Sequence, residues 1–254
     1  MRNARFKKEI SVLLPAHNEA LQIEKCVREV ARAVSSFSSS YEIIVSEDGS
    51  TDGTDIIVSN LASDNPNLHL LHSPVRLGKG KAIKKGLERA KGEIVVFMDV
   101  DLATNLDYLP KVLQTVREHG GMAIGSRHVE GSVVRRRASR TLFSLAYNLF
   151  VRTLFLDGIH DHQCGFKAMT HDVAKVMLET KSDGFFFDTE MLLRCKRKGF
   201  PITEVGVEWV ETRRKSDSKV RLFHDSKRIV IDLLTFRLNP QKPLKRFSDR
   251  TLAE

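Results

Sequence analysis

The chain reads as an α/β protein, a single domain built on a mostly parallel sheet with helices on both faces. Short apolar runs alternate with segments of helical periodicity in the order βαβαβαβ, and the links between runs are long enough for crossover connections. Three of the runs also end in acidic residues, at the carboxyl edge where sheets of this kind bind ligands.

After a basic leader, Ile10 to Pro15 reads as a buried strand ending in Ala16-His17-Asn18-Glu19. Ile23, Val27, Val30 and Val34 then fall on one helical face, and the serine-rich stretch Ser35 to Ser40 ends that helix. Tyr41 to Ser46 is the next strand and runs into Glu47-Asp-Gly-Ser-Thr-Asp-Gly-Thr54, where Ser50 and Asp52 suit a helix cap and the glycines suit tight turns. A helix carries the chain to Asn65-Pro66, and Leu68 to His72 forms the third strand. Arg76-Leu-Gly-Lys-Gly-Lys81 opens a helix that reaches Lys91, beside whose start Lys79 and Lys81 offer charge and backbone N–H groups to a phosphate. The Gly-x-Gly spacing there is not that of a P-loop, which argues against a kinase or ATPase.

The fourth strand is the centre of the reading. Ile94 to Met98 is apolar throughout, as expected of a strand buried on both faces, and it runs into Asp99-Val-Asp101. In extended chain the two carboxylates point the same way, about 6–7 Å apart. Such a pair calls for a cation between them, and a divalent ion carrying phosphates answers; a solvated strand end is the alternative.

A helix near Asp107 to His119 follows, then a strand, Met122 to Ser126, that delivers Arg127. Arg135, Arg136, Arg137 and Arg140 crowd the next segment, and Thr141 to Val151 is an apolar helix with little polar face. It reads as core, with burial in a membrane interface as the alternative. Gly165 to Met169 is a further strand, Phe185 to Lys198 a helix, and Pro201 to Trp209 a last strand. Leu222 to Leu238 is a basic amphipathic helix suited to packing on the domain or lying on anionic lipid, and 239–254 is a basic tail.

Composition narrows the function classes. The 41 Lys and Arg outnumber 32 Asp and Glu, a net charge of +9, so an anionic partner is expected. Most of the excess lies between Arg213 and Arg250. No apolar run reaches the roughly 18–20 residues that span a bilayer, and no secretory leader precedes the first strand. Cys26, Cys164 and Cys195 show no close pairing. These features favour a reducing cytoplasm. His160, Asp161, His162 and Cys164 do not complete a zinc set at the usual spacing.

Taken together, Pro15-Ala-His-Asn-Glu19, Glu47 to Thr54, Asp99-Val-Asp101, Gly125-Ser-Arg127 and His162-Gln-Cys-Gly-Phe-Lys167 resemble the family 2 inverting glycosyltransferases of the GT-A fold, from about Ile10 to Leu238. Arg76 to Gly80, Asp161 to Lys167, Phe187-Asp-Thr-Glu190 and Ile202 to Trp209 are similar to the dolichyl-phosphate glucosyltransferase branch more than the mannosyl branch. The resemblance implies that Pro15, Glu19 and Asp48 hold the uridine and ribose of a nucleotide-sugar donor. It implies that Asp99 and Asp101 bind the nucleotide and its Mg2+ or Mn2+, with Lys79 on the donor side. Arg127, Arg135 and Ser139 would grip the phosphate of a dolichyl or other polyprenyl phosphate acceptor. The chain departs from the family at His17, where Tyr is common, and at Ala103, where some relatives carry Gln. It also lacks the carboxyl-terminal membrane-spanning helices of some relatives, which suggests peripheral binding to the cytoplasmic face of an anionic membrane.

The chemistry can be argued apart from the family. A leaving pyrophosphate must be neutralised, which a divalent metal does. A lipid monophosphate has its second pKa near 6, so it arrives at neutral pH mostly as a dianion and needs positioning rather than deprotonation. Forked arginines suit that task. A sugar-hydroxyl acceptor would instead need a general base, with Asp188 or Glu190 as candidates. The rivals are a GDP-mannose-dependent mannosyl enzyme, transfer to a hydroxyl of a lipid-linked glycan, a nucleotidyltransferase, and a basic nucleic-acid binder. The acids gathered at the strand ends argue against the last. Arg136 and Arg137 read as solvated surface, Phe185 to Phe187 as core or lipid contact, and Arg213, Arg214 and Lys215 as a loop over phosphates or a plain basic stretch.

Overall fold

The computed structural model describes residues 6–184, 186–212 and 222–240, with the side chains of 222–229 outside that description. The readings made for Phe185, for Arg213 to Lys215 and for the tail beyond residue 240 lie outside the described residues. Strand β1 (Lys8–Ala16) lies in parallel between β2 (Tyr41–Glu47) and β4 (Gly92–Met98), and β3 (Leu68–Leu71) extends the sheet beyond β2. On the other side of β4 the chain departs from a uniform parallel order. Strand β7 (Phe166–Thr170) runs antiparallel to both β4 and β5 (Met122–Ser126), and β8 (Ile202–Gly206) closes the sheet parallel to β5. The order is β3-β2-β1-β4-β7-β5-β8.

Strand alternation divides the core into two layers. Ile10, Val12, Leu14, Ile94, Val96 and Met98 face α1 (Ile23–Ser35), α2 (Thr54–Ser63) and α4 (Leu109–His119). Leu13, Val95 and Phe97 face the opposite way, against α3 (Lys79–Arg89), the short α6 (His171–Ala174) and α7 (Phe186–Arg197). Because both faces are covered, the central strands are apolar along most of their buried length, which is why Ile94 to Met98 of β4 reads as an unbroken run.

The segment from Pro201 to Trp209 is not one strand. Its pairing breaks at Val207, whose N–H donates to Ser126 O and whose carbonyl accepts from Val133 N–H. Beyond it, β9 (Glu208–Val210) pairs in parallel with β6 (Val133–Arg135) in a separate two-stranded sheet. Gly206 permits the crossing, since a Cβ there would lie 2.4 Å from the carbonyl oxygen of Glu130.

Two helices lie outside the layers. In α5 (Ala138–Phe155) only Ser144, Asn148 and Val151 are buried, while Leu142, Phe143, Leu145, Leu149 and Phe150 face solvent, so the reading of this helix as core does not hold. Over its first three turns the helix turns Ser144 and Asn148 inward and leaves most of its apolar side chains outward. α8 (Leu222–Leu238) buries Leu233 and Phe236 against Phe186, Leu193 and Val151 and leaves Val230, Ile231, Leu234 and Leu238 exposed. No helix among the described residues is long and apolar enough to cross a membrane.

One buried ion pair fixes the loop before β7. Asp161, fully buried, accepts from Arg127 Nε at 2.7 Å, Arg127 Nη2 at 2.8 Å and Arg127 N–H at 3.0 Å. Burial works to raise the pKa of this carboxyl, but the guanidinium overrides it and holds it down at about 2. The pair therefore adds stability above the unfolded carboxyl's range near 4 and loses it as pH falls toward about 2, an effect of about 2 kcal/mol. Urea unfolding at pH 7 should show Asp161→Asn destabilised by about 3–5 kcal/mol, since Arg127 would be left buried and unpaired. The gap to the unsubstituted protein should narrow between about pH 4 and pH 2; a gap independent of pH would contradict the assignment.

Candidate active site

The acids of the strand ends do converge, but not by simple alternation. β4 stops at Met98 and the chain turns through Val100, which is buried, so Asp99 and Asp101 reach one cleft from a turn rather than from extended strand. Leu102 next to them holds a positive φ of 50°, and Asp101 Oδ1 accepts from the Ala103 N–H. Asp99 sits against Gly165. A Cβ at that glycine would lie 1.9 Å from Asp99 Oδ2, so only glycine leaves room for the carboxylate, and Gly165 O accepts from the Asp99 N–H. The cleft is completed by Thr104, Arg127, Gln163 and Trp209.

Lys79 reaches this cleft from the first turn of α3. Its Nζ lies 2.8 Å from Asp99 Oδ1 and 3.5 Å from Asp188 Oδ2, and Asp188 Oδ1 lies 2.9 Å from the buried Nζ of Lys167. Four side chains from β4, α3, α7 and β7 thus form a row of alternating charge. Burial opposes the charge on Lys79, yet Asp188 and Asp99 raise its pKa above the ordinary lysine value. Burial likewise works against ionised Asp188, but Lys167 and Lys79 keep its carboxyl below the usual range. A carboxylate held between two ammonium groups is a poor proton acceptor. Glu190 is no better placed as a base. It is fully buried and accepts from the N–H groups of Lys181 and Ser182 and from Arg194, so it secures the turn before α7. Asp188 and Glu190, expected as a base or as sugar contacts, are thus both engaged by neighbouring cations or amides.

Other expected residues fall in three places. Pro15 and Glu19 stand at the end of β1, beside β4, and Asp48 at the end of β2, one strand further out. Asp48, however, spends its carboxylate on the N–H groups of Leu77 and Gly78, at 2.6 and 2.9 Å. Gly80 N–H donates to Asp183 O, so three amides at the start of α3 are committed internally and not free for a phosphate. The glycines of Gly78-Lys-Gly80 serve close packing instead: a Cβ at either would strike the Ser182-Asp183 turn. The loops holding Asn18 and Ser50 to Thr54 are laced together, with Asn18 N–H on Ser50 Oγ, Thr51 N–H on Asn18 Oδ1 and Ala20 N–H on Asp52. Ser139 and Arg135 are exposed, Arg135 on β6 and Ser139 in the first turn of α5, and neither lines the cleft.

Sequence reasoning missed Trp209, Gln163 and the role of Gly165. Trp209 looked like one more apolar position of a strand. Its placement depends on the break at Val207 and on Thr104, which bridges it, with Asn105 bound to Glu208. The guanidinium carbons of Arg127 and Arg136 lie 5.4 and 5.2 Å from the centre of its ring.

The residues fit a hard divalent cation. Asp99 and Asp101 supply two oxygen donors, Gly165 shapes the space for one of them, and the Lys79 ammonium already stands on Asp99 as a cation would. No group of three or more His, Cys, Asp or Glu side chains able to hold a metal occurs among the described residues, so the remaining donors would be diphosphate oxygens and water. Cys164 is a free, buried cysteine beside this cleft.

Comparison with known proteins agrees with this architecture. The glycosyltransferase AglD of Haloferax volcanii is 39% identical over 221 residues, which is 85% of this chain and 35% of that protein, so the chain spans about a third of that relative's length. The dolichyl-phosphate beta-glucosyltransferase of Dictyostelium discoideum is 30% identical over 243 residues, covering 90% of this chain and 73% of that protein. Among solved structures, glucosyl-3-phosphoglycerate synthase from Mycobacterium tuberculosis, in complex with Mn2+, UDP and phosphoglyceric acid, matches with a TM-score of 0.68 at 24% identity, over 91% of this chain and 79% of that one. The fold is the GT-A-like one that the motifs implied. The model for glycosyl transferase family 2 matches residues 11–178, and the chain belongs to that family.

Proposed function

We propose that this protein transfers a hexose, glucose before others, from a UDP-sugar to the phosphate of a dolichyl or related polyprenyl phosphate, with inversion at the sugar carbon. The observation that carries the reading is one cleft lined by groups of opposite charge: Asp99 and Asp101 together with Arg127, whose guanidinium lies over the ring of Trp209. The donor's diphosphate belongs beside the two carboxylates, and Mg2+ or Mn2+ bound there supplies charge neutralisation to the leaving group. Lys79 adds a donor of positive charge from the side of Asp99. Arg127 is rigidly held by Asp161, which leaves its Nη1 to orient an incoming phosphate. With Asp188 and Glu190 both engaged, the cleft offers no base in their place, and a phosphate dianion is the acceptor that needs none. The names of relatives that transfer glucose to dolichyl phosphate support the same substrates.

A lipid acceptor requires contact with a membrane surface. The exposed Leu142, Phe143, Leu145, Leu149 and Phe150 on α5, with Val230, Ile231, Leu234 and Leu238 on α8, support peripheral contact on the cytoplasmic face, with anionic headgroups meeting the chain's excess positive charge. GDP-mannose as donor and a glycan hydroxyl as acceptor are the competing readings.

The test is transfer of labelled sugar from a panel of UDP- and GDP-sugars to dolichyl phosphate in detergent, with Mn2+ or with EDTA. Product from one UDP-hexose is expected. EDTA or Asp101→Ala should lower the rate by roughly 100-fold or more, because the leaving group would lose its neutralising charge; product unaffected by EDTA would sink the metal assignment. Asp188→Asn separates the two acceptor classes. If Asp188 steadies Lys79, kcat/KM for the donor should fall about tenfold, mostly through KM, whereas loss of a true general base would cut kcat by about 100-fold or more.

A further inference from the structure

A nucleotide sugar and a lipid phosphate are charged at their phosphates and uncharged at the hexose that passes between them. Of the side chains that line the cleft, Asp99, Asp101 and Arg127 suit the charged parts, and the neutral hydrogen-bonding groups are Thr104, Gln163 and the indole of Trp209. Thr104 is buried with its hydroxyl on the Cys164 thiol, and the indole ring lies under the guanidinium groups of Arg127 and Arg136. Gln163 is half-buried, and its side-chain amide has no hydrogen-bond partner among the described residues. The loop that carries it is fixed on either side. Asp161, fully buried on Arg127, accepts from the Gln163 N–H at 3.2 Å. The buried ring of His162 has its nitrogens 2.9 Å from Asn148 Oδ1 and 3.0 Å from Asp157 Oδ2. Cys164 is buried, its carbonyl accepts from Lys167 Nζ, and Gly165 is packed on Asp99. Gln163 is thus the one side chain of 161–165 that lines the cleft.

We infer that Gln163 reads a hydroxyl of the transferred hexose and so sets which sugar this protein accepts. This deepens the reading proposed above and rests on it for the presence of a nucleotide-sugar donor. The loop explains the placement: two residues before Gln163, Asp161 holds Arg127, and two residues after it Gly165 packs on Asp99. An amide set between the group for the acceptor phosphate and the group for the diphosphate stands where the sugar has to pass. It donates through Nε2 and accepts through Oε1, which matches a hydroxyl that does both, and it adds no charge to compete with Asp99 or Arg127 for phosphate. The pinned backbone on both sides lowers the ordering cost of that contact. A sugar with the hydroxyl inverted or missing leaves the amide without its partner, and that difference is what discriminates.

The test is titration calorimetry with UDP and with UDP-glucose in the presence of Mn2+, on the unsubstituted protein and on Gln163→Met, which keeps the length of the side chain and loses the amide. UDP-glucose should bind about tenfold more weakly to the variant, while the affinity for UDP stays within about twofold. In transfer to dolichyl phosphate, UDP-galactose, UDP-xylose and UDP-N-acetylglucosamine each alter one ring position of the donor. The preference for UDP-glucose over the one altered where Gln163 reads should shrink about tenfold in Gln163→Met, and the other two preferences should not move. Gln163→Met should melt with the unsubstituted protein, because the amide holds no other part of the chain; a lowered melting temperature would show a structural role and overturn the inference. Equal losses for UDP and UDP-glucose would put the contact on the nucleotide, and unchanged affinity for both would leave the amide without a ligand; either result overturns it. A loss confined to UDP-glucose, with no sugar transferred to any polyprenyl phosphate, would uphold Gln163 as the sugar contact and count against the acceptor. Binding of neither UDP nor UDP-glucose would overturn the inference together with the reading it rests on.

Discussion

Charge gathered at a sheet edge must be neutralised, and most of what surrounds β4 follows from that requirement. Asp99 and Asp101 stand where a fully apolar strand ends, and the chain supplies their counter-charge from elements far away in sequence. Lys79 comes from α3, Asp188 from α7 and Lys167 from β7, each side chain opposed by the next. Lys167 is wholly buried and satisfied by Asp188 and by the carbonyl of Cys164, so the end of the row is anchored in the core. Removing one member of such a row leaves a buried charge exposed to its remaining neighbours, which costs more than the pair contributes. The same row places the ammonium of Lys79 directly on Asp99.

The close packing of α3 against the turn before α7 is what lets those charges meet. Gly78 and Gly80 bring the first turn of the helix onto Ser182 and Asp183, and Asp48 ties the preceding loop down through two backbone amides. Glu190 ties the far side of the same turn. Several of the motif residues are therefore engaged in holding this geometry, while Asp99, Asp101, Arg127 and the ring of Trp209 line the cleft and Lys79 pairs with Asp99 beside it.

Much of this was legible in the sequence because periodicity reports burial directly. Val12 to Ala16 of β1 and Ile94 to Met98 of β4 are unbroken apolar runs since helices cover both faces, and α1 shows its buried stripe at Ile23, Val27, Val30 and Val34. The placement of Asp99 and Asp101 at a strand end followed from the same run. Other features were not legible, because they depend on partners distant in the chain. The reversal of β7 between β4 and β5 leaves no local mark, as a strand buried on both faces is apolar whichever way it runs. The break at Val207 is invisible in an alternating pattern that continues through it. Arg135 and Arg136 differ only in which side of β6 they take, and that is settled by the pairing of Val134 with Trp209. α5 misled for a different reason: an apolar helix buries its greasy side only where the domain offers a surface, and here the inward positions are Ser144 and Asn148, which meet His128 and His162.

The engagement of both α7 carboxylates bears on what kind of nucleophile the proposed reaction can use. A sugar hydroxyl has to lose its proton as it attacks, and the group receiving that proton must hold a free lone pair close to neutral pH. Asp188 is stabilised as an anion by two lysines, which lowers its basicity, and Glu190 is consumed by backbone amides and Arg194. A phosphate dianion carries its own charge and asks only to be aimed. What it does require is relief from the repulsion of Asp99 and Asp101, and Arg127, over the ring of Trp209, lines the same cleft. A cleft that carries two carboxylates and a guanidinium is one in which the charges of two phosphorylated substrates can each meet an opposite charge, the first directly and the second through a cation.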